Sequence, residues 1–436
     1  MPDTPCFERQ PLNLRADPVR VVVRPFRPGE GPRDHDPVDN SRINRLVDRV
    51  LALSPADVAT VLARTLDSFA DRHHDLAEMF ARRAQEMAPA YAHHKALSAD
   101  QRLVIGACFL HEYSFEAAAL FNPSIVAHPD QTGVAAGHLR FILSLRAVGE
   151  GHISSLTFRS GVIAADGSIT IDQPEQCAVL PTVTARAGDR IDLAFDAHSD
   201  ITERVIFPIT AAQAHGIEDA RFVAFADQGV TTWYATYTAY DGVAIRSELL
   251  ETRDFATFRL TPLAGAAAAS KGMALFPRKI AGRYAMIARI DNENLQLIYS
   301  DNLLDWGMGD LLLAPMYPWE FVQIGNCGSP IELDEGWLLF THGVGPMRHY
   351  AIGAVLLDKQ DPSRVIGRAR EPLVEPENSE RQGYVPNVVY SCGALRVGDR
   401  IVLPYAVSDA FSTFATIRID DLVAILKQGM AAPVPA

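Results

Sequence analysis

Two adjacent carboxylates, Glu218 and Asp219, stand in the segment His215-Gly216-Ile217-Glu218-Asp219-Ala220-Arg221, just before the apolar run Phe222-Val223-Ala224-Phe225. A carboxyl group held in a cleft can give or take a proton while a bond breaks. In a regular strand successive side chains point to opposite faces, so one acid would line a cleft while the other pairs with Arg221. A charged turn closed by a salt bridge has the same spacing. Spacing alone favours that plainer account, because a working carboxylate must also be found in a cleft.

Cations follow. Residues 271–294 place Lys271, Arg278, Lys279, Arg283 and Arg289 around an apolar run. Grouped in a cleft, such cations hold phosphate or a sugar acid. Lys271 and Arg289 bracket a predicted hairpin and are the pair expected to face inward; the other three read as solvated. Gly325-Asn326-Cys327-Gly328-Ser329-Pro330 is a tight turn whose glycines permit close backbone approach, without the helix that a dinucleotide fingerprint needs. His342 ends an apolar strand, where a structural histidine is the ordinary account. Glu375, Glu377 and Glu380 form an acidic loop ahead of Gly383-Tyr384-Val385-Pro386-Asn387, and Tyr405 and Asp409 end the next strand. Amides, acids and rings at strand ends suit a sugar cleft. Nucleophile-elbow, zincin, P-loop and EF-hand patterns are absent, and the histidines lack metal-ligand spacing, so no metal is expected.

Strands must position these groups. From Phe121 onward the chain runs in short aromatic and β-branched segments, separated by Gly, Asp and Asn and recurring every ten to fifteen residues or so, the mark of antiparallel hairpins. An array of that length predicts a sandwich or a propeller. Earlier, the texture is helical. Ile43, Leu46, Val47, Val50 and Leu51 are spaced three and four apart. Ser54-Pro55-Ala56-Asp57 supplies a cap, a first-turn proline and a first-turn acid. A third helix is expected over DLAEMFARRAQEM, and a fourth, capped by Ser98, over ADQRLVIGACFLHEY. VRVVVRPF (19–26) reads as a strand and GEGPRDHDPVDNS as a linker. Residues 1–118 are thus expected to form an extended segment and a helical region. Residues 119–436 form the β domain, closed by a short helix over RIDDLVAILKQGM.

The 436 residues carry a formal charge of −13. An acidic surface repels phosphodiester backbones, so nucleic acid is not an expected partner. The five cysteines are odd in number and widely spaced, which argues against a disulfide framework or zinc site and for a reducing compartment. The N-terminal residues have no apolar signal core and no window is long and apolar enough to span a membrane. A cytoplasmic location is the expectation; homo-oligomerisation is left open.

The segments FNPSI (121–125), SLRAVGEGHIS (144–154), GIEDARF (216–222), YATYTAYDG (234–242), KGMALFPRKIAGRYAM (271–286), GNCGSPI (325–331), GWLLFTHGV (336–344), GYVPNVVYSCGAL (383–395) and YAVSD (405–409) occur in that order. Together they resemble glycoside hydrolase family 130, the mannoside phosphorylases and β-mannosidases, over roughly residues 120–415. The resemblance implies a mainly β protein, a five-bladed β-propeller, here with an N-terminal α-helical extension. It maps the family's acid, the aspartate of GxEDPR, onto Asp219, with Ala220 where proline is common. It implies inversion at the anomeric carbon of a β-mannoside oligosaccharide. No cofactor is implied, and inorganic phosphate is co-substrate where cleavage is phosphorolytic. Asn122, Arg146, His152, Tyr237, Asn326, His342, Asn387, Tyr405 and Asp409 are the substrate-binding residues it suggests. Lys271 and Arg289 fall where phosphate is expected and point to a phosphorylase making mannose 1-phosphate. Glu332 falls where a carboxylate would repel phosphate and activate water, pointing to a β-mannosidase. A non-catalytic sugar-binding propeller is the remaining alternative, though it needs neither the acid nor the cations.

Overall fold

Ser54 caps a helix as its type dictates, its hydroxyl accepting from the Asp57 amide at 3.2 Å. In the computed structural model, which describes residues 7–27, 41–94 and 96–431, the chain divides into two units. One comprises Pro18–Phe115 with Glu175–Val179. It holds α1 (Ser41–Leu51), α2 (Pro55–Phe69), α3 (Leu76–Met87) and α4 (Ala99–Ala107). Their apolar stripes meet in a core of Ile43, Val47, Val58, Leu62, Phe80, Ile105 and Phe109. A Cβ on Gly106 would lie 1.9 Å from the Phe80 carbonyl oxygen, so glycine sets how closely α3 and α4 approach.

The fourth helix is shorter than its sequence suggests. It stops at Ala107, and Leu110–Ser114 forms a strand instead, antiparallel to Val21–Pro25. An otherwise unpaired strand edge outcompetes local helical preference there. The linker expected at 29–41 lies, up to Asn40, outside the described residues. The expected division at residue 118 also shifts. Phe7–Asp17 belongs with the β unit, where Glu8 and Arg9 pair with Thr416 and Ala415.

Among the described residues the β unit forms four sheets, and the eleven-stranded one falls into two antiparallel runs, so that five antiparallel sets can be distinguished. The first is Ala119–Ala127, Leu139–Val148 and Ser154–Ile163, with short outer partners. The second begins with Gly216–Asp227 and continues through Val230–Tyr240, Ile245–Thr252 and Thr257–Pro262 to Arg190–Ala194 and Thr182–Ala187. Among the described residues one parallel pair, Gly216 with Ser154, joins these two sets. The third is Lys271–Leu275, Tyr284–Arg289, Leu295–Ser300 and Asp310–Leu313. The fourth runs from Gln323–Asn326 through Trp337–Val344 and Tyr350–Leu357 to Val365–Arg368. The fifth is Val389–Tyr390, Arg400–Val407, Phe411–Arg418 and Glu8–Arg9.

Tight turns make these meanders. Gln228 and Gly229, both at positive φ (50° and 78°), form the kind of two-residue turn whose twist matches the flanking strands. Apolar cores lie between successive sets. Phe225, Leu249, Met286 and Trp306 fill one; Phe276, Ile287, Trp337 and Leu339 fill the next. Phe340, Leu403, Ile417 and Leu426 fill another, with Leu426 coming from the closing helix α5 (Ile419–Ala431). Sets covered on both faces lose the polar–apolar alternation: all eight residues of Trp337–Val344 are buried. Among the described residues, no helix is long and apolar enough to cross a membrane.

Candidate active site

The first strands of three sets share one irregularity. Pairing with the next strand slips between Phe121 and Ser124, between Glu218 and Arg221, and between Lys271 and Ala274. At each slip one residue takes a left-handed backbone: Asn122 (φ 51°), Asp219 (φ 54°) and Gly272 (φ 84°). A bulge re-aims the side chains on either side of it. The strict alternation expected for Glu218 and Asp219 is therefore broken, and both carboxylates reach the same guanidinium. Arg146 Nη2 donates to Glu218 Oε1 at 2.8 Å and Nη1 to Asp219 Oδ1 at 3.2 Å. Asn122 Nδ2 donates to the same Asp219 oxygen at 2.5 Å. Lys271 Nζ donates to Glu218 Oε2 at 2.8 Å. Arg221 is not the carboxylate partner that spacing suggested. It donates to the Asp219 carbonyl oxygen at 3.3 Å and to the Tyr390 hydroxyl at 2.8 Å.

Lys271 and Arg289 are direct cross-strand partners. Arg289 Nη1 lies 3.4 Å from His342 Nε2. Because guanidinium only donates, Nε2 accepts and Nδ1 carries the proton, facing Cys327 Sγ at 3.8 Å. Gly325 makes room for this: a Cβ there would lie 2.3 Å from the imidazole and 3.1 Å from Arg289 Nη1. Asn326 is buried beside Gly272, with its Oδ1 unpartnered. The His342 ring stacks on Tyr350 and leans on Tyr390, 4.7 Å away. Tyr390 enters as a site residue that sequence spacing did not single out, while Arg221 and Gly325, read from the sequence as a salt-bridge partner and a turn glycine, take these roles instead.

Electrostatics divide the acids. Burial pushes the Asp219 carboxyl up, but Arg146, Arg221, Asn122 and Lys271 outweigh it and hold it below the usual carboxylate range. Its side chain keeps 18% of its surface open, so it is accessible to a ligand. Asp409 goes the other way: burial, reinforced by the Asp219 charge and only partly offset by Arg146 and Arg348, raises it to about 7. Burial, then Arg289 and Arg221, push His342 well below its ordinary value, so the imidazole is neutral. Burial also raises the Tyr390 phenol, which stays protonated.

The rim is built by His152 and Tyr384. His152 Nδ1 sits 2.5 Å from the Tyr384 hydroxyl; the Tyr384 ring lies 6.5 Å from that of Phe121, and Phe121 faces the Arg146 guanidinium at 5.1 Å. The Asn387 carbonyl accepts from the amide of Tyr350, the residue whose ring stacks on His342, while its Oδ1 is taken by Arg381.

Three expected site residues are elsewhere. Tyr237 is buried inside the second set, its hydroxyl bonded to Glu248 and Gln213. Tyr405 lies in the core beneath the fifth set. Glu332 is clamped by Arg278 through two 2.8 Å bonds and lines a mainly apolar cavity of about 330 Å³ that contains none of the Asp219 group. The Arg278 bonds, more than burial opposes, lower its carboxyl, so it is a structural anion. Glu380, in the acidic loop, is taken by Arg9 at 2.7 Å.

Two hairpins are built alike. Gly149–Ile153 and Gly345–His349 each close with a bond from the first residue's amide to the fifth residue's carbonyl, and Gly151 (φ 69°) and His152 (φ 58°) match Met347 (φ 58°) and Arg348 (φ 57°). Met347 is 93% exposed and occupies glycine's conformation at a cost of about 1 kcal/mol. Met347→Gly relieves that strain but loosens the unfolded chain, so it is expected to stabilise the protein by no more than about 0.5 kcal/mol in urea denaturation. A loss of stability would mean the backbone is held there for another reason.

A strand-end acid encircled by cations and amides has the makings of a carbohydrate-active site. Comparison with known proteins agrees. Residues 194–428, just over half of the chain, match the family profile of glycoside hydrolase family 130, described as beta-1,4-mannooligosaccharide phosphorylase. The chain belongs to glycoside hydrolase family 130. It is 39% identical over 155 residues to the 1,2-beta-oligomannan phosphorylase of Thermoanaerobacter sp. (strain X514), covering 35% of this chain and 52% of that protein. It is 30% identical over 226 residues to the beta-1,2-mannobiose phosphorylase of Listeria innocua, covering 50% and 62%. The chain thus spans roughly half to three-fifths of the length of these relatives. The solved Listeria innocua beta-1,2-mannobiose phosphorylase, in complex with beta-1,2-mannobiose, superposes with a TM-score of 0.52 at 21% identity, over 71% of this chain and 92% of that one. At that identity the likeness shows the fold.

Proposed function

We propose that this protein is an inverting β-mannoside phosphorylase with Asp219 as its acid and Lys271, Arg289 and Arg221 facing phosphate. The observation that carries this is the charge arrangement. Asp219 sits at a bulge on a first strand, open to ligand, among cations, with Glu218 bonded to two of them and Asp409 close enough to feel its charge. Such a site attracts an anion. The names of the relatives support phosphorolysis. The pairing of Glu332 with Arg278 speaks against its use as the carboxylate that would favour hydrolysis.

Architecture supports the same assignment. We read the five sets as blades of a five-bladed β-propeller. Ala119–Ala127 packs on Gly216–Asp227, that strand on Lys271–Leu275, and Lys271–Leu275 on Gln323–Asn326; Tyr350–Leu357 packs on Val389–Tyr390, and Arg400–Val407 returns to Ala119–Ala127. The bulged residues then lie around one channel mouth.

In the reaction Asp219 gives its proton to the leaving glycosidic oxygen, relayed through a sugar hydroxyl, as the bond from anomeric carbon to oxygen breaks. A phosphate oxygen attacks that carbon from the opposite face, forming mannose 1-phosphate with inverted configuration. By themselves the surrounding cations keep Asp219 ionised. Phosphate on those cations offsets their charge, and a bound sugar excludes water. Both changes favour the protonated acid. Asn326, His342 and Asp409 are placed to hold hydroxyl groups. We also assign a cytoplasmic location, supported by the buried Cys327 and Cys392 thiols.

The test is incubation with β-1,2- and β-1,4-linked mannobiose, with and without inorganic phosphate. Mannose 1-phosphate formed only with phosphate is the expected product. Free mannose formed without phosphate would make the enzyme a β-mannosidase, and no product under any condition would leave a sugar-binding protein.

A further inference from the structure

Glu218 divides its two carboxylate oxygens between two different strands' cations. Oε1 takes Arg146 Nη2 from Leu139–Val148 and Oε2 takes Lys271 Nζ from Lys271–Leu275, each at 2.8 Å. Its residue is 9% exposed, so both bonds are little screened by solvent. Arg146 presents its other nitrogen to Asp219, and Phe121 covers the guanidinium face. Removing Glu218 would thus release Lys271 from this bond and leave Arg146 tied to Asp219 alone.

We infer that Glu218 is a positioning residue. It fixes the Arg146 fork against Asp219, and it draws the Lys271 ammonium to the acid's side of the site while cancelling part of the surrounding positive charge. This rests on the assignment of Asp219 as the acid and Lys271 as a phosphate-facing cation. The bulge makes the arrangement possible, because in a regular strand Glu218 and Asp219 would face away from each other. Without the Glu218 charge, Asp219 faces Arg146, Lys271 and Arg221 with less compensation. Around it stand Asn122 on the first set, Lys271 on the third, His342 on the fourth, and Tyr390, Cys392 and Asp409 on the fifth. Of these His342 and Tyr390 are neutral, so the local balance moves toward the cations.

Glu218→Gln keeps the shape and one acceptor but drops the charge. With inorganic phosphate and the mannobiose that the wild type cleaves, its kcat is expected to fall about 10-fold or more. The limb on which activity is lost as pH rises should move down by about 0.5–1 unit, since the acid ionises more easily. Loss of packing alone would not move that limb. Glu218→Asp keeps the charge on a shorter arm that cannot span both cations. It is expected to keep the wild-type limb with reduced kcat, and it carries the test if the Gln variant does not fold. Unchanged kcat and an unmoved limb in Glu218→Gln, or unchanged kcat in Glu218→Asp, would overturn the inference. If instead the wild type makes no product from any mannoside, it is the assignment of function that fails.

Discussion

Asp219→Asn is expected to lower turnover by about 10²–10⁴-fold while the protein folds normally. The amide oxygen can still accept from Asn122 and Arg146, so both bonds to Oδ1 survive. What is lost is the transferable proton. Without it the leaving sugar must depart as an alkoxide. The charge also matters for stability. Because the cations hold the folded carboxyl below its unfolded value, it contributes stability above the unfolded value, lost as pH falls through the folded one. The Asn variant should therefore be slightly less stable at neutral pH and indistinguishable in strong acid. Steady-state kinetics on the productive mannobiose, beside a thermal melt, checks both. Turnover within a few-fold of wild type would place the acid elsewhere, and Asp409, raised to about 7, would be the next carboxyl to examine.

Helix starts, hairpin texture and the Lys271–Arg289 pair were legible from residue order because each depends on local rules. Ser54, Pro55 and Asp57 announce a helix start wherever they occur. Three things were not legible. The bulge at Asp219 is a tertiary feature: Ala220 and Arg221 carry no turn signal, and only the repeat of the irregularity at Asn122 and Gly272 reveals a common construction. The end of α4 depended on a distant strand, Val21–Pro25, needing a partner. Tyr237, Tyr405 and Glu332 failed for a shared reason. Each has a residue type that suits a sugar site, but burial and partners decide its use. Glu332 faces Arg278, and Tyr237 faces Glu248.

Asp409→Asn should reverse the usual penalty of a core substitution. The group's folded value, about 7, lies above the ordinary 3.8, so the folded state binds the extra proton between those values. Stability is then fully present below about pH 4 and declines as pH rises toward 7, at up to about 1.4 kcal/mol per unit. The isosteric amide never ionises, so wild type and variant should coincide near pH 4, with the variant a few kcal/mol more stable at pH 8. Carboxyls such as Asp219, whose values are lowered, slope in the opposite direction in both proteins, so they cancel in the difference between the two melting curves. A parallel pair of curves from pH 4 to 8 would show that Asp409 ionises normally. Activity should respond in the other direction, because a carboxyl beside Asp219 and Arg146 that can hold or release a proton near neutrality is replaced by one that cannot. A variant both steadier in alkali and slower in turnover would show that Asp409 is kept as an acid for the reaction, at the fold's expense.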